Sequence, residues 1–313
     1  MAGALFSILV FPGLLFVCLF GLIAEFIDRK IYARLQNRVG PPWFQTFADF
    51  LKLLGKEDII PTEANQKMFS LAPVFALTSV VTVFLYIPLW KAEALFSFNG
   101  DIIMVLYLLT IPTLAFFICG WYSKSLFSRI GSVRCVIQLF AYEVPLFMSI
   151  LASALLADTW SLRDMAVFYT RHPYYFLFNL IGFGVSLVAL LGKLEKVPFD
   201  IPEAETEVVA GAFTEYSGRL LAILRLTINV EMVVGASLLG AVFFPFGLGF
   251  GPYVGFIIFI FKTLIIMAML SLLRTIVARL RIDQMIDFCW KYLVPLSFIQ
   301  LLLNLVAKGI MSR

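Results

Sequence analysis

Residues 193–219 read KLEKVPFDIPEAETEVVAGAFTEYSGR and separate two long apolar runs. Asp200, Glu203, Glu205, Glu207 and Glu215 crowd this break, in a chain written mostly in Leu, Phe, Ile and Val. Carboxylates at a membrane boundary are costly to hold unless neighbours or protons manage their charge. The stretch therefore reads as an interruption between membrane spans and as the point where charge meets them.

Working outward, the 313 residues are 61% hydrophobic and 14% charged, which puts the chain in the membrane class. A net charge of +4, spread over loops without a basic stripe, excludes nucleic acid as a partner and leaves the lipid bilayer. Cys18, Cys119, Cys135 and Cys289 show no CxxC pair or metal-ligand spacing and read as small buried hydrophobes. His172 is the only histidine, and one His makes no metal site. The GFGPYVG run at 249–255 lacks the strand and acidic residue of a dinucleotide fingerprint and reads as a loop between spans. No Ser/His/Asp triad is present, so no catalytic residue is assigned.

Apolar windows long enough for about 30 Å of hydrocarbon, roughly 20 residues each, fall near 3–24, 70–90, 101–122, 135–157, 175–194, 219–244, 253–273 and 286–307. The pattern predicts an all-α integral membrane protein with about eight transmembrane helices, in one multi-span domain over 1–313. The first window has no basic n-region or small-residue cleavage site and is expected to stay as a span. The connections 25–69, 123–134 and 193–218 are expected to form platform loops on one face. They carry most of the basic residues, among them Arg29, Lys30, Arg38, Lys52, Arg134 and Lys196. Positive-inside asymmetry predicts a multi-pass protein of the cell membrane, with these loops in the cytoplasm and both termini outside.

Within the first connection, WFQTFADFLKLLGKE at 43–57 sets Phe44, Phe47, Phe50, Leu51 and Leu54 against Asp49, Lys52 and Lys56 at helical spacing. This predicts an amphipathic helix in the cytoplasmic interface, or a solubilised surface helix of the same pattern. In the fourth span Glu143 is either a protonated packing carboxyl or a proton carrier. Arg225 and Glu231 in the sixth span are six residues apart, on different helix faces, so each needs a partner elsewhere. Lys262 in the seventh span is either buried or snorkelling, while Lys291 lies close enough to a helix end to snorkel.

Four blocks carry a resemblance: DRKIYARLQNRVGPP (28–42), ADFLKLLGKE (48–57), GWYSKSLFSRIGSVRCVIQLFAYEV (120–144) and KVPFDIPEAETEVVAGAFTEY (196–216). With the eight-span layout, they resemble the membrane subunit that seats the quinone-reducing arm of respiratory complex I, a subunit shared in kind with energy-converting membrane-bound [NiFe] hydrogenases. The short PWFQTF link after Gly40-Pro41, the KLEK run before PFD, and Ile228 where a Glu is usual make the chain similar to the hydrogenase branch.

The resemblance implies a platform for the soluble arm at Arg29, Lys30, Arg38, Asp49 and Lys52. It also implies a buried charge path through Arg134, Glu143, Asp200, Glu203, Glu205, Glu207 and Glu215, which the residue reading extends to Arg225, Glu231 and Lys262. Carboxylates this close are expected to share protons. The implied partners are hydrophilic [NiFe]-hydrogenase-like large and small subunits, which would hold the NiFe centre and iron–sulfur clusters, together with antiporter-like membrane subunits. This chain itself would bind no cofactor and would couple electron transfer to H⁺ or Na⁺ translocation. Alternative readings are a quinone-site subunit, the same anchor in a sulfur- or polysulfide-reducing complex, an independent secondary transporter, or a passive anchor; no internal repeat supports the transporter.

Overall fold

The computed structural model describes residues 2–91, 93–248 and 251–311; the side chains at 2, 4, 205, 206 and 311 lie outside the described set. Its helices are α1 (Ala2–Leu9), α2 (Leu14–Leu35), α3 (Gln45–Leu54), α4 (Gln66–Tyr86), α5 (Asp101–Tyr122), α6 (Leu126–Ala157), α7 (Leu162–Arg171), α8 (Leu180–Lys193), α9 (Glu205–Val208), α10 (Gly218–Phe243), α11 (Pro252–Ile276), α12 (Ile282–Phe288) and α13 (Val294–Met311). No strand occurs among the described residues. Eight helical runs among them are long and apolar enough to cross a membrane. The chain is an all-α membrane protein, with eight such spans among the described residues.

The bundle is built around α10. Inside its apolar window 89% of residues are buried, against 28% for the first and last spans, which lie at the outside of the bundle. Helix α10 packs on α2, α4 and α11, and the pairs α4–α5, α5–α6 and α6–α8 close the wall around it. Helix α13 passes Pro295 by widening into a π-turn over Cys289–Leu293, one way a helix accommodates a residue with no N–H.

Two connections are shorter than the apolar windows indicate. Helix α2 runs to Leu35 and absorbs 25–35, and α6 starts at Leu126 and absorbs most of 123–134, so Arg29, Lys30 and Arg134 stand on helices. Apolar windows find the hydrocarbon-spanning part of a helix, but arginine and lysine are good helix formers that continue it beyond. The 32 residues of α6 extend about 48 Å, well past the roughly 30 Å hydrocarbon core. At 249–255 the helix begins at Pro252, so only the start of that run can be a loop; residues 249 and 250 lie outside the described residues.

Segment 194–217 is not a surface loop either. It folds back between α5, α6 and α10, burying Phe199, Ile201, Ala204, Val208, Phe213 and Tyr216. Gln138 holds it from inside α6, donating to the carbonyls of Gly192 at 2.6 Å and Phe199 at 2.8 Å. At 1.5 Å per residue, Gln138 stands roughly 18 Å beyond the start of α6. Gly211 (φ +54°) presses on α6 at Gly131, where a Cβ would meet the Gly211 Cα at 2.5 Å. Tyr216 closes the segment by stacking on Phe69 with ring centroids 3.9 Å apart and donating to the Phe69 carbonyl at 3.0 Å.

Helix α3 lies across α2 and α10 with the predicted apolar face divided. Phe47 and Phe50 pack on the core, while Phe44 and Leu51 are 51% and 65% exposed. A helix at the edge of a bundle has a protein neighbour on one side only, so a wide apolar stripe serves two surroundings.

Candidate functional site

Most of the sequence-predicted charged residues gather at the end of the bundle that holds segments 36–65 and 194–217, termed the loop end. A cavity of about 580 Å³ opens there between α2, α3, α10, α11 and segment 194–217. Five acids (Glu25, Asp49, Glu195, Asp200 and Glu203) and five bases (Arg29, Lys196, Arg225, Arg274 and Arg279) line it.

Each described acid of 200–207 has its own arginine. Asp200 Oδ1 lies 3.1 Å from Arg279 Nε, Glu203 Oε2 accepts from Arg225 at 3.2 Å, and Glu207 Oε2 accepts from Arg134 at 2.5 Å. The guanidinium of Arg134, by hydrogen bond and charge, holds the Glu207 carboxyl below its ordinary range. The arginines come from α6, α10 and the α11–α12 turn, helices far apart in sequence, which is why spacing alone does not reveal the pairing. Glu215 is half-buried, and the Glu205 side chain lies outside the described residues.

One acid of the loop end that the sequence reading passes over has a raised carboxyl. Glu195, directly after α8 and 8% exposed, has its carboxyl pushed up to about 8, first by burial and then by the charge of Glu203. Cys135 donates to its Oε1 at 3.3 Å, and Oε2 has no partner among the described residues.

Two further clusters lead inward. Asp28, 2% exposed on α2, accepts from Lys196 at 2.6 Å, Arg274 at 3.2 Å and Ser271 at 2.5 Å, while Lys196 also approaches Glu25 at 3.6 Å. Deeper, Lys193 at the end of α8 meets Glu231 of α10 at 2.8 Å, with both side chains essentially sealed from solvent. Lys193 also donates to the Leu109 carbonyl and lies 5.9 Å from the Tyr142 ring centroid. Glu143, half-buried on α6, makes no hydrogen bond to a described residue but feels the Lys193 charge. Arg225 and Glu231 do not pair with each other. Lys262 is set apart from all these groups, donating to the Phe244 carbonyl at 2.9 Å at the opposite end of the bundle. Lys291 pairs on the surface with Asp287 at 2.7 Å.

Among the platform residues, Arg29 pairs with Glu25 at 2.6 Å and Asp49 at 3.5 Å, so both Arg29 and Asp49 serve the cavity wall. Lys30 donates to the Pro41 carbonyl at 3.4 Å, and Arg38 and Lys52 are exposed. Segment 36–65 is stitched to the start of α10 by Asp58, which accepts from the Arg219 amide at 2.6 Å, and by Ser217, which accepts from the Ile59 amide at 2.9 Å. The loop end is thus one connected surface. The sequence does not assign Asp28, Lys193, Glu195 and Lys196 to the charge path because they sit at window edges, where charge is ordinary. The available signal was that a buried partner such as Glu231 requires a nearby cation.

Eight spans, an inserted charged loop and ion pairs continuing from a mouth cavity into the bundle define a multi-span membrane subunit with a charged mouth. Residues 7–305 match the NADH dehydrogenase family, and the chain belongs to it. It is 32% identical over 295 residues to the H subunit of the NADH-quinone oxidoreductase of Carboxydothermus hydrogenoformans, covering 91% of this chain and 83% of that protein. It is 34% identical over 296 residues to the corresponding protein of Dehalococcoides mccartyi, covering 92% and 83%. Its fold matches a chain of an archaeal respiratory membrane complex, the membrane-bound sulfane sulfur reductase, with a TM-score of 0.85 at 24% identity, over 96% of this chain and 99% of that one. The chain is a membrane subunit of a multi-subunit respiratory complex, of the complex I-like kind.

Proposed function

We propose that this chain seats the soluble arm of a hydrogenase-like respiratory complex and couples its electron transfer to H⁺ or Na⁺ movement. The observation that carries this reading is the succession of ionisable groups from the mouth cavity through Glu195 to the sealed Lys193–Glu231 pair and Glu143. Ionisable side chains at membrane depth are expensive, and a route for charge accounts for the cost. The NiFe centre and iron–sulfur clusters reside in hydrophilic large and small subunits docked on the loop end, which faces the cytoplasm with both termini outside. Antiporter-like subunits receive the charge change within the membrane. Arg38 and Lys52, exposed at the rim, contact the soluble arm, while Arg29 and Asp49 hold the cavity wall.

The densely charged lining of the cavity favours this reading over a quinone chamber, because an isoprenoid tail needs an apolar tunnel. The quinone reading is kept by the NADH-quinone oxidoreductase relatives. Competition by a quinone-site inhibitor separates the two, since only a quinone chamber is blocked by it. The test of coupling is Glu143→Gln in the intact complex in membrane vesicles. Ion pumping is lost while the soluble arm stays assembled and passes electrons; unchanged pumping refutes the proposal.

A further inference from the structure

Lys193 stands at a junction that the charge path does not explain by itself. It is the last residue of α8, and two residues later the chain turns at Glu195 with φ +51° into the inserted segment. Its root is therefore fixed on a helix that packs on α6 and α10, and its neighbour belongs to the segment lining the mouth cavity. Around its ammonium lie three carboxyls: Glu231 in contact at 2.8 Å, and Glu143 and Glu195 within the range of its charge. Glu231 is completely buried and has no other cationic partner among the described residues. One cation thus serves three carboxyls in a compartment where an unpaired negative charge costs several kcal/mol.

The compartment also provides a second resting contact. Lys193 Nζ also donates to the Leu109 carbonyl on α5. The ammonium therefore keeps a backbone acceptor while its carboxylate partner changes. No such arrangement surrounds Lys196, which is held by both Asp28 and Glu25.

We propose, resting on the charge-path reading above, that Lys193 is the gate of that path: its ammonium pairs with one buried carboxylate at a time and so decides which of Glu231 and Glu195 stays ionised. With Lys193 on Glu231, Glu195 holds the proton. When the inserted segment draws the ammonium towards Glu195, that carboxyl gives up its proton and Glu231 gains one. Lys193 keeps its three hydrogens throughout, and the compartment's net charge does not change. Lys193 is a positioning residue here and carries no proton itself.

The experiment uses the intact complex reconstituted in lipid vesicles, measuring electron-transfer rate and ions moved per electron for Lys193→Arg, Lys193→Met, and the double variant Lys193→Met/Glu231→Gln. The double variant removes both charges and leaves no buried ion unpaired, so it assembles even where Lys193→Met alone does not. A gate gives a double variant that passes electrons with loss of ion movement, and a Lys193→Arg variant that retains most of it. A merely structural pair gives a double variant that pumps normally, and this overturns the proposal. If Glu143→Gln uncouples while the double variant pumps normally, the gate alone falls. If Glu143→Gln also pumps normally, the charge path falls with it.

Discussion

At the end of the bundle opposite the loops, Asn179, Gln300 and Asn304 answer one another's polar atoms. Gln300 Nε2 donates to the Phe178 carbonyl at 2.6 Å and to Asn179 and Asn304 Oδ1 at 3.1 Å each; Asn304 Nδ2 donates to the Ala152 carbonyl and Asn179 Oδ1 at 2.8 Å; Asn179 donates to Tyr169 at 2.7 Å. At the loop end, ionised groups do the bridging, and bonding capacity is left over: Glu195 Oε2, Glu203 Oε1 and Arg274 Nε are buried without a hydrogen-bond partner among the described residues. Neutral amides whose partners are complete fix helices in place. Charges with spare capacity can change partner, and they occupy the end that carries the cavity.

The sharpest way to break this contrast is Asp28→Asn. Asp28 is the shared acceptor of Lys196, Arg274 and Ser271, and its loss leaves two partly buried cations with only Glu25 nearby. Removing one member of a buried ion network costs about 3–5 kcal/mol. A large fall in thermal or SDS resistance of the purified complex is expected; an unchanged midpoint would show that the loop-end charges are individually dispensable.

Next in size is a pH effect at Glu195. Its carboxyl is raised from 4.5 to about 8 in the folded protein by burial, so the fold keeps a proton that the unfolded chain has already released. The stability it contributes is therefore complete below about pH 4.5 and declines as pH rises towards about 8. Glu195→Gln removes this decline, and the variant's unfolding midpoint varies less across that window. Glu207 has the opposite sign: lowered by Arg134, its contribution is present at neutral pH and is lost on acidification. An unaltered pH slope in Glu195→Gln would move the proton-holding acid elsewhere.

How far this contrast was legible in the sequence depended on where each residue sits in its helix. Glu143, Arg225 and Glu231 interrupt apolar runs and announce themselves. Lys193, Asp28 and Lys196 sit at window edges, where charge is the rule, and only the third dimension shows that an inserted segment and neighbouring helices bury them. The eight spans followed from hydropathy, but their lengths did not, since α2 and α6 carry their arginines past the hydrocarbon. Segment 194–217 contained a signal in Phe199, Ile201, Val208 and Phe213, an apolar content too high for a solvated loop. Gln300 and Asn304, four apart in the last span, share one helix face and pointed to a polar contact there.

The amide network supplies the third prediction. Gln300→Leu removes its central donor and leaves the oxygens of Asn179 and Asn304 with one donor fewer, at a cost of about 1–2 kcal/mol. Stability falls moderately, while ions moved per electron do not change. Uncoupling in this variant would mean that the far end takes part in charge movement, and the functional division between the ends would be lost.

The smallest effect is expected where charges are present at the far end but exposed. Arg163 of α7 pairs with Glu93 at 3.0 Å, with side chains 47% and 71% exposed. Water screens such a pair, and holding two long side chains in one geometry costs entropy that cancels much of the attraction. Arg163→Ala should therefore change stability by no more than about 0.5 kcal/mol and leave ion movement intact, as read by the same unfolding and vesicle measurements. The pair has the same chemistry as Arg225–Glu203 at the cavity, where the glutamate is only 23% exposed. If Arg163→Ala proved as damaging as Arg225→Ala, burial would not be what separates the two ends, and the argument that the cavity gives its ion pairs their role would fail.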